Sequence, residues 1–108
     1  MISIDEFKKL EIKIGHIISA EKVPETDKLL RLSVDFGEGT ARQIISGISA
    51  FFPDVSVLVG KRCAFATNLE PRTIKDLESQ GMILAVSGDN FFSLLETTKD
   101  VPEGSAVK

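Results

Sequence analysis

The spacing of apolar and polar positions changes early in the chain. Ser3 stands three residues before Glu6 and ahead of Phe7 and Leu10, the spacing of a capping box, which predicts a short helix over residues 4–10. From Glu11 the period becomes two. Ile12, Ile14, Gly15 and Ile17-Ile18 predict a long strand that continues to Glu21, with a glycine that permits a bend or bulge. A small barrel needs such a curved first strand. Pro24-Glu25-Thr26-Asp27 is turn chemistry, and beyond it Leu30, Leu32 and Val34 alternate with Arg31, Ser33 and Asp35, which puts Arg31 on the outer side of a second strand.

Gly37-Glu38-Gly39 closes a hairpin into a third strand over residues 40–47, where Ala41, Gln43 and Ile45 alternate with Arg42, Ile44 and Ser46. Residues 49–52, followed by Pro53, predict one helical turn over the end of the barrel, and 55–59 lead into Gly60-Lys61. Residues 62–68 predict a fourth strand, 70–81 a polar connection and 82–86 a fifth strand. Gly88-Asp89-Asn90 then turns into a last short strand over 92–96, and Pro102-Glu103-Gly104 precedes a terminal extended stretch. Short strands at regular spacing with few helical pieces predict an all-β fold. The leading case is an oligonucleotide/oligosaccharide-binding (OB) barrel of five strands with a C-terminal strand extension. At 108 residues the chain is one domain, 1–108, with no internal repeat.

Composition narrows the chemistry. With 43% hydrophobic and 27% charged residues the chain has a globular composition. It lacks an apolar run of the ~20 residues that a membrane span needs, and no signal-like segment opens it, so the expected location is cytoplasmic with no membrane partner. One cysteine, Cys63, lies in an apolar run and is expected to pack as a small hydrophobe. One histidine, His16, leaves neither a Cys/His metal site nor a Ser/His/Asp triad its parts, and Asp27, Asp35, Asp54 and Asp76 have no metal-ligand spacing. No catalytic residue, metal or cofactor is therefore expected.

The net charge of −3 argues alone against a nucleic-acid binder, yet it hides a gradient. Residues 1–27 carry four basic and six acidic groups, 28–75 seven and four, and 76–108 two and six. A basic middle between acidic ends is either a polyanion-binding face or random scatter, because local potential and not net charge steers an encounter.

The phrases Asp5-Glu6-Phe7, Leu10-Glu11-Ile12-Lys13-Ile14-Gly15-His16-Ile17, Pro24-Glu25-Thr26-Asp27-Lys28-Leu29, Val34-Asp35-Phe36-Gly37, Ile45-Ser46-Gly47-Ile48, Val59-Gly60-Lys61, Asn68-Leu69-Glu70-Pro71-Arg72 and Ser79-Gln80-Gly81-Met82 stand in this order along nearly the whole chain. In this register the chain resembles the tRNA-binding domain at the C-terminus of many methionyl-tRNA synthetases, which also occurs as free-standing, structure-specific tRNA-binding proteins. The resemblance implies an OB barrel, commonly a homodimer, that recognises the shape of tRNA without chemistry, in cis or in trans to an aminoacyl-tRNA synthetase. Structured RNA is read through phosphates, 2′-hydroxyls and a few splayed bases, which suits such a site. The aromatic surplus near the C-terminus agrees with dimerisation.

Carried over residue by residue, the resemblance implies RNA contacts at Lys28, Arg42, Asn68, Arg72, Ser79 and Met82. Lys28 follows the turn aspartate and would meet a phosphate or stand free in solvent. Arg42, on the outer side of the third strand, would grip a phosphate or base edge, or form a cross-strand ion pair. Asn68 would contact tRNA or make an Asx turn into Leu69. Pro71 stiffens the loop that presents Arg72. The Ser79 hydroxyl would bond RNA, and the Met82 thioether packs in the core or beside a base. Three departures stand out: Glu70 where members often have lysine, Thr73 where a second basic residue is common, and Lys75-Asp76-Leu77 in place of a glycine-containing step. The loss of two positive charges is expected to lower phosphate attraction by about two ion contacts.

A second reading comes from another class. Export chaperones of the CsaA kind resemble the chain at its start and at Val101-Pro102-Glu103-Gly104, and hold unfolded peptides. Phe51, Phe52, Phe91 and Phe92 would supply an apolar groove for that role, or form core or dimer interface. Met1 and the helical cap have the look of a natural start, and a domain cut from a synthetase would look the same.

Overall fold

The alternation of the second strand fixes which face becomes the core. In the computed structural model, which describes residues 1–108, Leu30, Leu32 and Val34 are fully buried while Arg31, Ser33 and Asp35 stay half-buried on the other face. β1 (Ile12–Lys22), β2 (Leu30–Asp35), β3 (Arg42–Ser46) and β4 (Arg62–Ala66) stand where the apolar pattern put strands. Two-residue β7 (Met82–Ile83) completes a five-stranded antiparallel sheet in the order β3-β2-β1-β4-β7. The backbone bond from Gln80 N to Gln43 O, 2.8 Å, brings the segment before β7 against β3 and nearly closes the sheet into an OB barrel.

β1 serves two neighbours. Its first half, Ile12 to His16, pairs with β4, and from His16 onward it pairs with β2. The register slips between Ile17 and Ser19, so the bulge lies at exposed Ile18 and not at Gly15. Gly15 has a different task. A Cβ there would lie 2.5 Å from Val34 Cγ1 and 2.7 Å from the Phe36 ring, so the missing side chain lets β1 cross the packed core.

The core joins Ile17, Val34, Phe36, Leu58, Phe65 and Ile83, with the Phe36 and Phe65 rings edge to face at 5.2 Å. The C-terminal segment extends the barrel wall along β1, with Ser105 O accepting from Ile14 N and Val107 N donating to Ile12 O.

Several expectations need correction. The capping box is present, but the helix α1 covers only Ile4–Phe7. The polar connection 70–81 contains a second hairpin, β5 (Arg72–Ile74) with β6 (Leu77–Ser79). The strand expected over 82–86 divides into β7 and β8 (Ala85–Gly88), and β8 pairs with β9 (Phe91–Leu94) as a separate hairpin outside the barrel sheet. Arg42 lies directly opposite buried Val34, so it sits on the inner face at the barrel's end and not on the outer side. Outer-face Ile45 is also buried, because the β5–β6 hairpin covers it.

Candidate nucleic-acid interface

Two connections at one end of the barrel face each other. The loop 23–29 joins β1 to β2. Val23 N donates to Leu29 O to close its base, Thr26 N and Oγ1 both donate to Val23 O, and Ser49 N donates to Lys28 O. The second connection runs from β4 to β7 and carries the β5–β6 hairpin. Its two central turn residues, Lys75 and Asp76, have φ of 50° and 64°, the sign a tight hairpin turn requires. Between the two connections is a cleft of about 360 Å³ lined by Glu25, Thr26, Asp27, Lys28, Leu29, Ile74 and Lys75. In OB barrels these two connections flank the surface that takes oligonucleotides.

The hairpin is latched to the barrel by side chains. The buried Ser79 hydroxyl accepts from Ile45 N at 3.0 Å and donates to Gly81 O at 2.9 Å. Gln80 Oε1 accepts from Gln43 N at 2.9 Å, and Gln43 Nε2 donates to Glu78 O at 2.8 Å. Arg42 holds the same corner. Its Nε and Nη2 donate to the two carboxylate oxygens of Glu38 at 2.8 and 2.7 Å, while Nη1 donates to Thr67 O at 2.7 Å and Gln80 O at 3.2 Å. Its guanidinium lies 5.2 Å from the centre of the Phe36 ring. This hydrogen bonding by Arg42 holds the Glu38 carboxyl below its ordinary range. The Thr67 hydroxyl does the same for Glu11.

The residues carried over from the resemblance therefore have unequal surroundings. Lys28 and Arg72 are exposed, Lys28 in the cleft wall and Arg72 at the start of the hairpin that forms its opposite side. Three of the four arginines are in ion pairs, Arg31 with Glu21, Arg42 with Glu38 and Arg62 with Asp100 and Glu103, which leaves Arg72 as the unpaired one. Arg42 is held in an ion pair, with Glu38 of the β2–β3 turn and not with a residue across the strand pair. Asn68 makes no Asx turn: its side chain accepts from Glu11 N and donates to Lys9 O, each at 2.7 Å, and ties the segment before β1 to the end of β4. Ser79 stands inside the wall, with its hydroxyl occupied. Met82 is 38% exposed and so is not core.

Sequence reasoning treated Lys75 only as a departure and passed over Gln43 and Gln80. One signal was available for the hairpin: Arg72 and Ile74 mirror Ser79 and Leu77 about the Lys75-Asp76 pair.

A second surface lies away from this cleft. Phe51 stacks on Phe92 with centroids 4.1 Å apart, Phe52 meets Phe92 edge-on at 5.8 Å, and with Val57 and Leu94 they line a groove of about 420 Å³. Phe51 and Val57 in its lining are exposed, as are Val86 and Phe91 on the other face of the β8–β9 hairpin. Cys63 lies beneath β9's end, fully buried, and burial pushes its thiol up to about 12, so it is no nucleophile at neutral pH.

Comparison with known proteins adds four findings. Residues 12–106 match the family described as "Putative tRNA binding domain". The chain is 50% identical, over its whole length, to part of the methionine–tRNA ligase of Methanoregula boonei, and spans 16% of that ligase. Among solved structures, a MetRS-related protein from Pyrococcus horikoshii is similar with a TM-score of 0.92 and 36% identity, covering 100% of this chain and 98% of that one. The chaperone CsaA of Bacillus anthracis has the same fold, with a TM-score of 0.87 at 24% identity, covering 100% and 99% of the two chains.

Proposed function

Since the chain belongs to the tRNA-binding domain family, we propose that it is a non-catalytic, structure-specific tRNA-binding module of the methionyl-tRNA synthetase type. It works in the cytoplasm, either appended to an aminoacyl-tRNA synthetase or beside one. The observation that carries this reading is the placement of unpaired cations. Lys28, Arg72 and Lys75 lie on the two connections that bracket the cleft, outside the ion pairs that hold the other arginines.

Such a site needs no reacting group. Arg72 meets a phosphate through a planar fork, Lys28 through a point charge, and the stiff loop 23–29 limits the ordering cost of binding. Bound tRNA is thereby kept at a raised effective concentration near the enzyme that charges it. Asn68, Ser79 and Arg42 contribute by holding the presenting segments, and Met82, exposed on β7, borders the same connection. In a competition assay Arg72→Ala weakens binding to total tRNA, and unfolded peptide does not displace the RNA. Unchanged tRNA binding by this variant would remove Arg72 from the site.

The aromatic groove favours a second reading, an export chaperone of the CsaA kind, because peptide capture requires an exposed apolar surface. We assign that surface instead to a second copy of the chain. The β8–β9 hairpin stands outside the barrel sheet with all of β8 exposed, and a lone two-stranded hairpin is marginal in water. Pairing of two copies would cover it.

A further inference from the structure

Three residues other than glycine have a left-handed backbone: Glu25 at φ 65°, Lys75 at 50° and Asp76 at 64°. They come from connections fifty residues apart in the chain, yet Glu25 and Lys75 both line the cleft between loop 23–29 and the β5–β6 turn, and Asp76 lines a second hollow beside it. Glycine or asparagine would meet those angles at lower cost, so each of the three carries backbone strain. Strain of this kind gathers where a ligand is bound.

The lining of the cleft names the ligand. Leu29 and Ile74, both half-buried, give it an apolar floor. Lys28 and Lys75 supply two positive charges and Glu25 and Asp27 two negative ones, and none of the four is in an ion pair. A plain phosphate site would not balance its charge in this way, and a purely apolar ligand would not need it. An unstacked nucleotide fits all three features. Its base has an apolar face, its Watson–Crick edge has N–H donors and its phosphate is anionic.

Resting on the tRNA-binding reading, we propose that this cleft takes one splayed nucleotide of the bound RNA, with guanine preferred. The base lies over Leu29 and Ile74, and the phosphate meets Lys28 and Lys75. The carboxylates of Glu25 and Asp27 accept from the base edge. Guanine presents N1–H and the N2 amino group side by side, the pair of donors that suits a carboxylate, whereas uracil presents a single N–H on that edge. The lysines on the phosphate share in the salt dependence of tRNA binding, while the carboxylates on the base edge add selectivity.

The test is a titration of the isotope-labelled chain with each of the four nucleoside 5′-monophosphates and then with total tRNA, followed by amide chemical shifts. GMP is expected to move the amides of Thr26, Leu29, Ile74 and Lys75, and to bind about fivefold or more tighter than UMP. Glu25→Gln with Asp27→Asn brings the two within about twofold, and Ile74→Ala weakens all four nucleotides alike. Equal affinity for the four monophosphates would overturn the base assignment. Undisturbed cleft amides together with shifts elsewhere on tRNA addition would overturn the cleft and leave the tRNA reading intact. No response to tRNA at all would overturn both.

Discussion

Arg42 shows how far one residue's role depends on partners that are distant in sequence. That it shares a strand face with Ile44 was readable, but which face was inner was not, and its acceptors on Thr67 and Gln80 are 25 and 38 residues away. Asn68 and Ser79 were obscured for the same reason, since their partners lie 57 and 34 positions along the chain. Removing Arg42 leaves the Glu38 carboxylate and two carbonyls without a donor. Arg42→Ala is expected to lower stability by about 2 kcal/mol in urea unfolding, a typical cost for losing charged hydrogen bonds. The two depressed glutamates also give stability a pH dependence. Glu11 and Glu38 are both held below their ordinary value of 4.5, so their contribution is full above that pH and is lost as pH falls through the lower folded-state values. The urea midpoint should be flat from about pH 5.5 upward and fall below 4.5, and a Glu11→Gln, Glu38→Gln double variant should flatten that fall.

At the scale of elements, β1 to β4 were legible because each buries one face of a period-two pattern. The β5–β6 hairpin was not, because three residues per strand give almost no period and its turn carries no glycine. The division of β7 from β8 was equally hidden. Leu84 N donates to Ala64 O while Leu84 O accepts from Leu95 N, so one residue links the barrel to the outer hairpin across an apparently continuous apolar run. The Lys75-Asp76 turn carries the clearest trade between folding and binding. Changing it to Asn-Gly by Lys75→Asn and Asp76→Gly supplies residues suited to positive φ, and is expected to stabilise the chain by about 1 kcal/mol. The same change removes Lys75 and Asp76 together and leaves the turn's net charge unchanged, so the expected weakening of tRNA binding reports the lost Lys75 contact. A thermal melt and a binding curve on one variant preparation check both directions.

The whole molecule divides its surface by chemistry, with the charged cleft between the barrel connections and the aromatic groove beside the outer hairpin. The barrel and one wall of the cleft, loop 23–29, were legible in outline from strands, turn residues and the ordered phrases. The groove was legible only as one of several alternatives, because a sequence does not say that Phe51, Phe52 and Phe92 meet while Phe91 stands apart. If a second copy covers the groove, sedimentation should give a dimer, and Phe51→Glu, at an exposed ring in the groove's lining, should give a folded monomer. A monomeric parent chain would return the groove to the peptide-binding reading.

The central claim is that tRNA is held at the cation-bearing connections. A salt titration of binding to total tRNA, run beside duplex RNA of equal length, tests it most directly. Affinity for tRNA should exceed that for duplex and fall as salt rises from about 50 to 200 mM, and Arg72→Ala should reduce the logarithmic salt slope by about one contact. Equal affinity for the two RNAs, or a slope unchanged by Arg72→Ala, would contradict the account.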